Sequence, residues 1–446
     1  PKPKHSLPKK VETPKPKPFD RTHRLKTLVS TLIILVVLDY FTRDFLFEWS
    51  IPLIQYFRSI ATPGWDTFFT IVSEFGDKYV ISLFIIISFN FLDLPKCFLV
   101  SLNAYSALAL LSLLKSINHE PRPFHVHDIS PSKCWLEYGN PSGHSLISSC
   151  LFLTLWQLVC KQKGWDALVP ALETPEKKRK RMTVLAGALL CIGLVSFSRV
   201  WLGVHTLNQI FYGWMWGSIV SLLYCDILYF EICRFTNSLR TKDTTQLIFN
   251  FGTRNFFLIY TLALLTFLVG SVLNPTPKAW LENVQKNCAG KLRAKDSVDP
   301  EWQNFEKFNL AFSVVGVYLG IIVESKLVGT DKYPFATQTS VLCSTVRMLS
   351  TFFIGCPTIM GILLKSDQYS YVTVQICKYV LPATLGNFYL FGFSKWVALK
   401  LNLINTRQPA PGEDTVYFLQ GRESLIEEVP AGDISILDGW VTKPKQ

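Results

Sequence analysis

Three short strings decide how this chain is interpreted: KSINHEPRP at residues 115–123, PSGH at 141–144 and SRVWLGVH at 198–205. Each string lies where an apolar run of membrane length meets a polar loop. Together they contain three cations and a Pro-Ser-Gly turn, and the second and third strings each end in a histidine, His144 and His205. Such groups hold a phosphate dianion and can cleave its ester without a metal. The strings therefore predict a phosphate site.

Composition places most of the chain in lipid. Of its 446 residues 49% are hydrophobic and only 17% are charged, so something other than water must shield the surface. Apolar runs of roughly 18 to 22 residues, the length that crosses a bilayer as helix, lie near 27–47, 78–95, 97–116, 142–160, 182–200, 207–229, 255–273, 308–325, 341–364 and 373–395. We predict an all-α, polytopic membrane helical bundle with about ten transmembrane helices. The run at 63–72 is too short to cross, and we expect an interfacial helix there.

Four regions follow from this pattern. Residues 1–26 are predicted to be a disordered basic cytosolic tail, because alternating Lys and Pro cannot bury apolar area. Residues 27–230 form the predicted phosphatase membrane core, residues 231–395 add further transmembrane helices, and residues 396–446 form a cytosolic C-terminal tail. The first run has no small-residue cleavage site after it, so we expect it to stay as an anchor.

Charge predicts the orientation of the spans. The net charge of +12 comes mainly from the N-terminal tail and from the basic run at 177–181. The positive-inside rule places both on the cytosolic side, and counting spans then puts all three strings on the opposite face. We expect these charges to set topology and to contact anionic lipid, not nucleic acid.

The eleven cysteines show no CxxC pair and no metal-ligand spacing. Cys134 and Cys288 are the two that we place in loops on the non-cytosolic face, where a disulfide is possible in an oxidising lumen. Two unrelated free thiols are the alternative. We expect no cofactor and no metal.

The first string supplies two cations at a helix end. Lys115 and Arg122 are seven residues apart, two helical turns, so both point the same way if the helix continues, and Pro121 and Pro123 stop it. Arg offers planar paired donors that match phosphate oxygens. Two cations that snorkel at a membrane boundary are the alternative.

The other two strings supply the histidines. Pro-Ser-Gly starts a helix whose free amides bind anions, with Ser142 and Gly143 leading and His144 within the first turn. In the third string Gly203 allows a tight path between Arg199 and His205. A neutral imidazole attacks phosphorus directly. A capped helix start and a hydrogen-bonded structural histidine are the alternatives, and the conjunction of three strings on one face disfavours them.

The pattern Lys-x6-Arg-Pro, Pro-Ser-Gly-His, Ser-Arg-x5-His resembles the three-part signature of the type 2 phosphatidic acid phosphatase and vanadium haloperoxidase superfamily, over roughly residues 60–230. The resemblance implies that His205 attacks phosphorus and forms a phosphohistidine, and that His144 protonates the leaving alkoxide and then activates water. It also implies that five groups bind the phosphate oxygens: Lys115, Arg122, Ser142, the Gly143 amide and Arg199.

One position departs from many lipid phosphatases of that superfamily. They carry an Asp four residues after the nucleophile, whereas this chain has Gln209, whose amide oxygen can still accept the imidazole N–H. Glucose-6-phosphatases look similar at this position. The short link between Arg122 and His144 and the extra C-terminal spans resemble sphingosine-1-phosphate phosphatases.

We therefore expect an integral membrane phosphatase of the endoplasmic reticulum that hydrolyses a lipid phosphate monoester, such as a sphingoid-base phosphate. Its site is expected to face the lumen and both termini the cytosol, and Gln209 to support the nucleophile. A sugar-phosphate phosphatase is one alternative. A transporter or scaffold that keeps only the phosphate pocket is another.

Overall fold

The structure is a computed structural model of the chain. It describes residues 21–92, 94–134, 136–160, 175–239, 243–248, 251–273, 275–291, 304–305, 307–327, 340–359 and 370–403. The first 20 residues of the predicted basic tail and residues 404–446 of the predicted C-terminal tail lie outside the described residues.

The described residues form helices and loops, with no strand among them. The helices are α1 (Arg21–Ser59), α2 (Pro63–Glu74), α3 (Lys78–Phe91), α4 (Leu94–Asn118), α5 (Pro123–Val126), α6 (Gly143–Cys160), α7 (Pro175–Trp201), α8 (Leu207–Leu222), α9 (Tyr229–Ser238), α10 (Thr244–Ile248), α11 (Phe251–Leu273), α12 (Lys278–Asn287), α13 (Ser313–Leu327), α14 (Val341–Ile359), α15 (Tyr371–Val374), α16 (Leu381–Gly392) and α17 (Ser394–Lys400). The predicted all-α class is confirmed.

Within the described residues five helical stretches are long and apolar enough to cross a membrane: Thr22–Ser59, Leu94–Val126, Lys178–Trp201, Leu207–Thr236 and Asn309–Leu327. Four shorter helices are also apolar: Val80–Phe91, Gly143–Val159, Phe256–Gly270 and Val341–Phe353. Each predicted run overlaps a helix. The membrane bundle is therefore confirmed, and the number of about ten spans stays a prediction.

Two predicted boundaries fall inside helices. α1 begins at Arg21, so residues 21–26 of the predicted disordered tail are helical. A helix that the apolar run has nucleated gains a hydrogen bond with each further residue, which extends it into the basic segment. A turn of π-helix, Leu223–Leu228, joins α8 to α9 and carries the helix through the boundary predicted at residue 230.

Close contacts hold α8 and α2 against the helices that carry the strings. A Cβ atom at Gly213 of α8 would lie 2.8 Å from the carbonyl oxygen of Ser142, so the backbones of α8 and α6 meet directly. α2 packs along α7: Asp66 pairs with Arg58 at 2.8 Å and accepts the indole N–H of Trp201 at 3.2 Å. The short helix predicted at 63–72 therefore exists and packs beside the bundle.

A disulfide joins Cys134 to Cys288, across 154 residues of sequence, so the first of the two alternatives is the one that forms. It connects the loop before α6 to the end of α12. Asn287 of α12 donates to the carbonyl oxygens of Phe124 at 3.0 Å and His127 at 2.8 Å. A segment from the C-terminal half of the chain is thereby fixed over the loop that leads into the second string.

Candidate active site

The three strings meet at one end of the bundle, because each lies at a helix terminus. Lys115 is in the last turn of α4, and Arg122 precedes α5. Arg199 is in the last turn of α7, and His205 lies between α7 and α8. Ser142 directly precedes α6. Lys115, Arg122 and His205 are each 1% exposed. The chain has thus buried two cations and a histidine side by side, which packing alone does not require.

His205 is held at both ring nitrogens. Its Nδ1 lies 2.8 Å from Oε1 of Gln209, and its Nε2 lies 3.1 Å from Nη1 of Arg122. Arg122 Nη1 also donates to the carbonyl oxygen of Val204 at 3.2 Å, which places the guanidinium beside the histidine backbone. The geometry fixes the ring plane and directs Nε2 toward the cation.

A turn at Gly203 brings His205 back to this position. Gly203 has φ of 74°, a conformation that side chains other than glycine rarely adopt. The amide of Val204 donates to the carbonyl oxygen of Arg199 at 3.1 Å, which closes the end of α7. The tight path that the sequence predicted at Gly203 is confirmed.

Three cations surround one carboxylate that the sequence analysis did not single out, Glu137. Its Oε1 accepts from Arg122 Nη2 at 3.0 Å, and its Oε2 lies 3.2 Å from Lys115 Nζ and 2.6 Å from Lys307 Nζ. The backbone of the same segment contributes too: Arg122 Nε donates to the carbonyl oxygen of Glu137, and Lys115 to that of Tyr138, both at 2.8 Å. This anion compensates charge that would otherwise be buried alone.

These contacts lower the pKa values of both His205 and Glu137. Burial lowers the pKa of His205 well below its ordinary value, and Arg122, Arg199 and Lys115 lower it further. Burial opposes ionisation of Glu137, but Lys115, Lys307 and Arg122 outweigh it and hold the pKa of this carboxyl well below its ordinary range. The histidine is therefore neutral and the carboxylate ionised at neutral pH.

The start of α6 supplies the second string. Ser142 accepts a hydrogen bond from Ser145 Oγ at 3.1 Å, and its backbone amide donates to the carbonyl oxygen of Gln209 at 2.9 Å. Gly143 is the first helical residue, whose amide has no acceptor within the helix. A Cβ there would lie 2.9 Å from Cδ2 of Leu111, so a side chain would not fit without movement. The packing of Leu111 thus favours glycine at this first helical position.

His144 and Arg199 lie at the same end of the bundle, at the start of α6 and in the last turn of α7. The side chain of His144 is 16% exposed, and its Nε2 lies 3.9 Å from Oδ2 of Asp77. Gly76 packs on the His144 backbone, where a Cβ would come within 2.7 Å of its carbonyl oxygen. Arg199 is within electrostatic range of both histidines, and its buried Nε has no hydrogen-bond partner among the described residues. A buried guanidinium with a free donor suits an anionic ligand.

Four acidic or basic groups near the strings were not predicted: Glu120, Glu137, Lys307 and Asp77. Glu120 lies within the first string itself, two residues before Arg122, yet its sequence context gives it no role. Lys307 lies far along the chain in a segment without a motif. No three His, Cys, Asp or Glu side chains of the described ranges are grouped as metal ligands.

One of three comparisons with known proteins, the one with protein-family models, matches the segment that carries the strings. No curated protein matches the chain. Among solved structures, a transmembrane PAP2-type phosphatidylglycerolphosphate phosphatase from Bacillus subtilis is 18% identical, with 48% of this chain and 98% of that chain covered and a TM-score of 0.35. A model of the PAP2 superfamily matches residues 96–232, less than a third of the chain but the part that contains all three strings, both histidines and Gln209.

Proposed function

We propose that this chain is a membrane phosphatase that hydrolyses a phosphate monoester through a phosphohistidine at His205. The observation that carries the proposal is the double anchoring of this imidazole, with Nδ1 on Gln209 and Nε2 beside Arg122. A neutral histidine whose Nδ1 proton is held by an acceptor presents its lone pair on Nε2. Nε2 is then a nucleophile beside a cationic anion site.

The reaction has two steps. In the first, the substrate phosphate binds to Lys115, Arg122 and Arg199, His205 Nε2 attacks phosphorus, and the ester oxygen leaves with a proton from His144. In the second, His144 takes a proton from water, whose oxygen attacks the phosphohistidine and releases inorganic phosphate. The cations stabilise the charge that develops on the phosphoryl oxygens in both transition states.

The pocket exchanges one anion for another during this cycle. Glu137 neutralises Lys115, Arg122 and Lys307 in the structure, so a phosphate dianion takes over at least part of their charge when it binds. Lys307 is half-buried, and it joins the site from outside the segment that matches the superfamily model. We therefore include it among the phosphate-binding cations.

A lipid phosphate monoester, such as a sphingoid-base phosphate, is the substrate we propose. Its support is the setting of the site at the ends of apolar helices that also leave large apolar side chains exposed, among them Phe41, Phe45 and Leu190. Such a surface faces lipid and lets a lipid substrate approach from the side. A hexose-phosphate phosphatase is the second candidate, which Gln209 favours because glucose-6-phosphatases look similar at that position.

We propose a lumenal site in the endoplasmic reticulum with cytosolic termini. Arg181 lies 18 residues before Arg199 on α7, about 27 Å away along a helix, so the basic run and the site are at opposite ends. The positive-inside rule puts that run in the cytosol. The disulfide near the site suits an oxidising compartment.

The test is to trap the intermediate. The purified full chain is mixed with a sphingoid-base phosphate or a hexose phosphate labelled with ³²P, quenched in alkali and digested, and the labelled residue is located. We expect alkali-stable, acid-labile label on His205 and none in His205→Ala. Label from the hexose phosphate alone would select the second candidate. Absence of label with both substrates, together with unchanged cellular function of His205→Ala, would favour a transporter or scaffold.

A further inference from the structure

We propose that Glu120 is a positioning residue for the nucleophile. Its carboxylate is linked to His205 through the side-chain amide of Gln209. It fixes Gln209 and supplies the negative charge that this glutamine lacks. The inference rests on the proposed function, since it assigns a role within that reaction. It concerns the position at which the sequence departs from many lipid phosphatases of the superfamily, where an Asp occupies the place of Gln209.

The contacts of Gln209 fix which end of its amide faces the histidine. Its Nε2 lies 2.9 Å from Oε1 of Glu120 and 2.8 Å from the carbonyl oxygen of Pro121, and both of these atoms accept hydrogen bonds. A flipped amide would set its oxygen against two acceptors. Oε1 therefore faces Nδ1 of His205, which must carry the proton. The carboxylate thus determines the histidine tautomer through the glutamine.

Hydrogen-bond donors face both carboxylate oxygens of Glu120. Besides Gln209, its Oε1 accepts from Asn208 Nδ2 at 2.7 Å and its Oε2 from Asn140 Nδ2 at 2.8 Å. Arg43 Nε lies 3.8 Å from Oε2 and also pairs with Asp39. Glu120 is 8% exposed. Three amide donors and one cation therefore need an acceptor at each oxygen of this group. The ionised carboxylate accepts at both oxygens.

The glutamine amide has little room to turn away. A Cβ atom at Gly139 would overlap Nε2 of Gln209, so the backbone of residue 139 lies directly against the amide. The amide of Gly139 donates to the carbonyl oxygen of Glu120 at 2.8 Å, which ties this backbone to the same string. Glu120, Gly139 and Gln209 thus form a rigid support behind His205.

The charge of Glu120 matters when His205 reacts. Attack of Nε2 on phosphorus forms the N–P bond, expels the ester oxygen and leaves a positive charge on the ring, whose Nδ1 keeps its proton. Gln209 Oε1 accepts that proton's hydrogen bond, and the carboxylate behind it polarises the amide so that its oxygen becomes more negative. A Gln209 without this partner would orient the ring but stabilise its cation less.

The experiment compares the wild-type chain with Glu120→Gln and with the double variant Glu120→Gln/Gln209→Asp, which restores a carboxylate next to His205. Single-turnover formation of the ³²P-phosphohistidine is measured with the two substrates named above. Glu120→Gln is expected to slow it about 10- to 100-fold with KM changed less than about threefold, because Glu120 does not touch the phosphate. The double variant is expected to regain rate relative to Glu120→Gln.

Glu324→Gln is the matched control, since Glu324 is a buried carboxylate that pairs with Lys395 at 3.0 Å, away from the site. Its rate per folded molecule is expected to equal that of the wild type. A wild-type rate in Glu120→Gln, or a double variant no faster than Glu120→Gln when both are folded, would overturn the inference. A wild-type chain that forms no phosphohistidine would instead overturn the proposed function.

Discussion

The two histidines of the site lie in opposite kinds of environment. His205 is buried, and fixed partners face both of its ring nitrogens. His144 is partly exposed, and Asp77 lies 3.9 Å from its ring. The difference matches the two chemical tasks that we propose for them. A nucleophile needs one tautomer and one direction, whereas a group that gives and takes a proton must reach both the leaving group and water. The following predictions test whether this division holds.

Loss of the fixed histidine should have the largest effect. His205→Ala removes the atom that bonds to phosphorus, so we expect turnover to fall on the order of 10⁴-fold or more and the phosphoenzyme to be absent. Steady-state phosphate release and ³²P labelling measure the two quantities. His119→Ala is a control, since this histidine lies against Tyr138 and Trp280 and no role is assigned to it. Residual labelling in His205→Ala would show that the nucleophile is elsewhere.

Loss of the partly exposed histidine should depend on the leaving group. His144→Ala is expected to slow release of an alkoxide about 10²- to 10⁴-fold, because no group then protonates the ester oxygen. A nitrophenolate leaves without a proton, so labelling by p-nitrophenyl phosphate should survive and the phosphoenzyme should accumulate. Burst kinetics with both esters provide the measurement. Equal losses with both would mean that His144 positions the phosphate instead of transferring a proton.

The carboxylate of Glu137, beside His205, should contribute strongly to the free energy of unfolding. Glu137→Gln leaves Lys115, Arg122 and Lys307 without their carboxylate, which we expect to lower the free energy of unfolding by about 3–5 kcal/mol. Inorganic phosphate should raise the Tm of this variant more than that of the wild type, since it replaces the missing charge. Glu231→Gln is the control, because Glu231 pairs with the exposed Arg234 at 3.4 Å. Equal phosphate effects in wild type and Glu137→Gln would contradict the proposed exchange of anions.

The same carboxylate predicts how stability changes with acid. The pKa of Glu137 is depressed in the folded chain, so its contribution is fully present above its ordinary value near 4.5 and is lost only as the pH falls through the lower folded value. At a pH below the folded pKa, Glu137 should therefore no longer contribute to the Tm. The difference in Tm between wild type and Glu137→Gln should shrink as the pH falls.

The disulfide should affect stability more than chemistry. Cys134→Ser/Cys288→Ser frees α12 from the loop that carries Glu137, and we expect a loss of about 2–4 kcal/mol with turnover per folded molecule nearly unchanged. Thermal unfolding and phosphate release at a temperature below both transitions separate the two effects. Cys97→Ser, at a buried cysteine outside the disulfide, is a comparison for the loss of sulfur alone. A tenfold fall in turnover of the folded double variant would mean that α12 also orders the site.

The strings could be predicted because their spacing and position at the ends of apolar runs are properties of the local sequence. Lys115 and Arg122, for example, were expected at a helix end, and the structure has Lys115 in the last turn of α4 and Arg122 directly before α5. Glu120 lies between them, but its role depends on Gln209, which only the packing of α8 on α6 brings near. No sequence motif marks Lys307, because its approach to Glu137 depends on how helices distant in sequence pack.

The helix boundaries were less predictable than the helices. Hydropathy locates the apolar centre of a segment, but hydrogen bonding along the backbone carries α1 back to Arg21 and α8 on into α9. Neither extension changes the apolar pattern. Backbone hydrogen bonds, not composition, therefore determine where these helices begin and end.

The smallest effect should come from the acidic neighbour of the partly exposed histidine. Asp77→Asn removes a charge that is 3.9 Å from His144 Nε2, beyond hydrogen-bond distance, and partly exposed pairs of this kind contribute little. We expect kcat to change less than about fivefold, against the larger loss expected for Glu120→Gln on the other side. Phosphate release by the two variants, measured in parallel, makes the comparison. If Asp77→Asn slowed turnover as much as Glu120→Gln, both histidines would depend on a carboxylate equally, and the contrast between a fixed nucleophile and an open proton donor would be wrong.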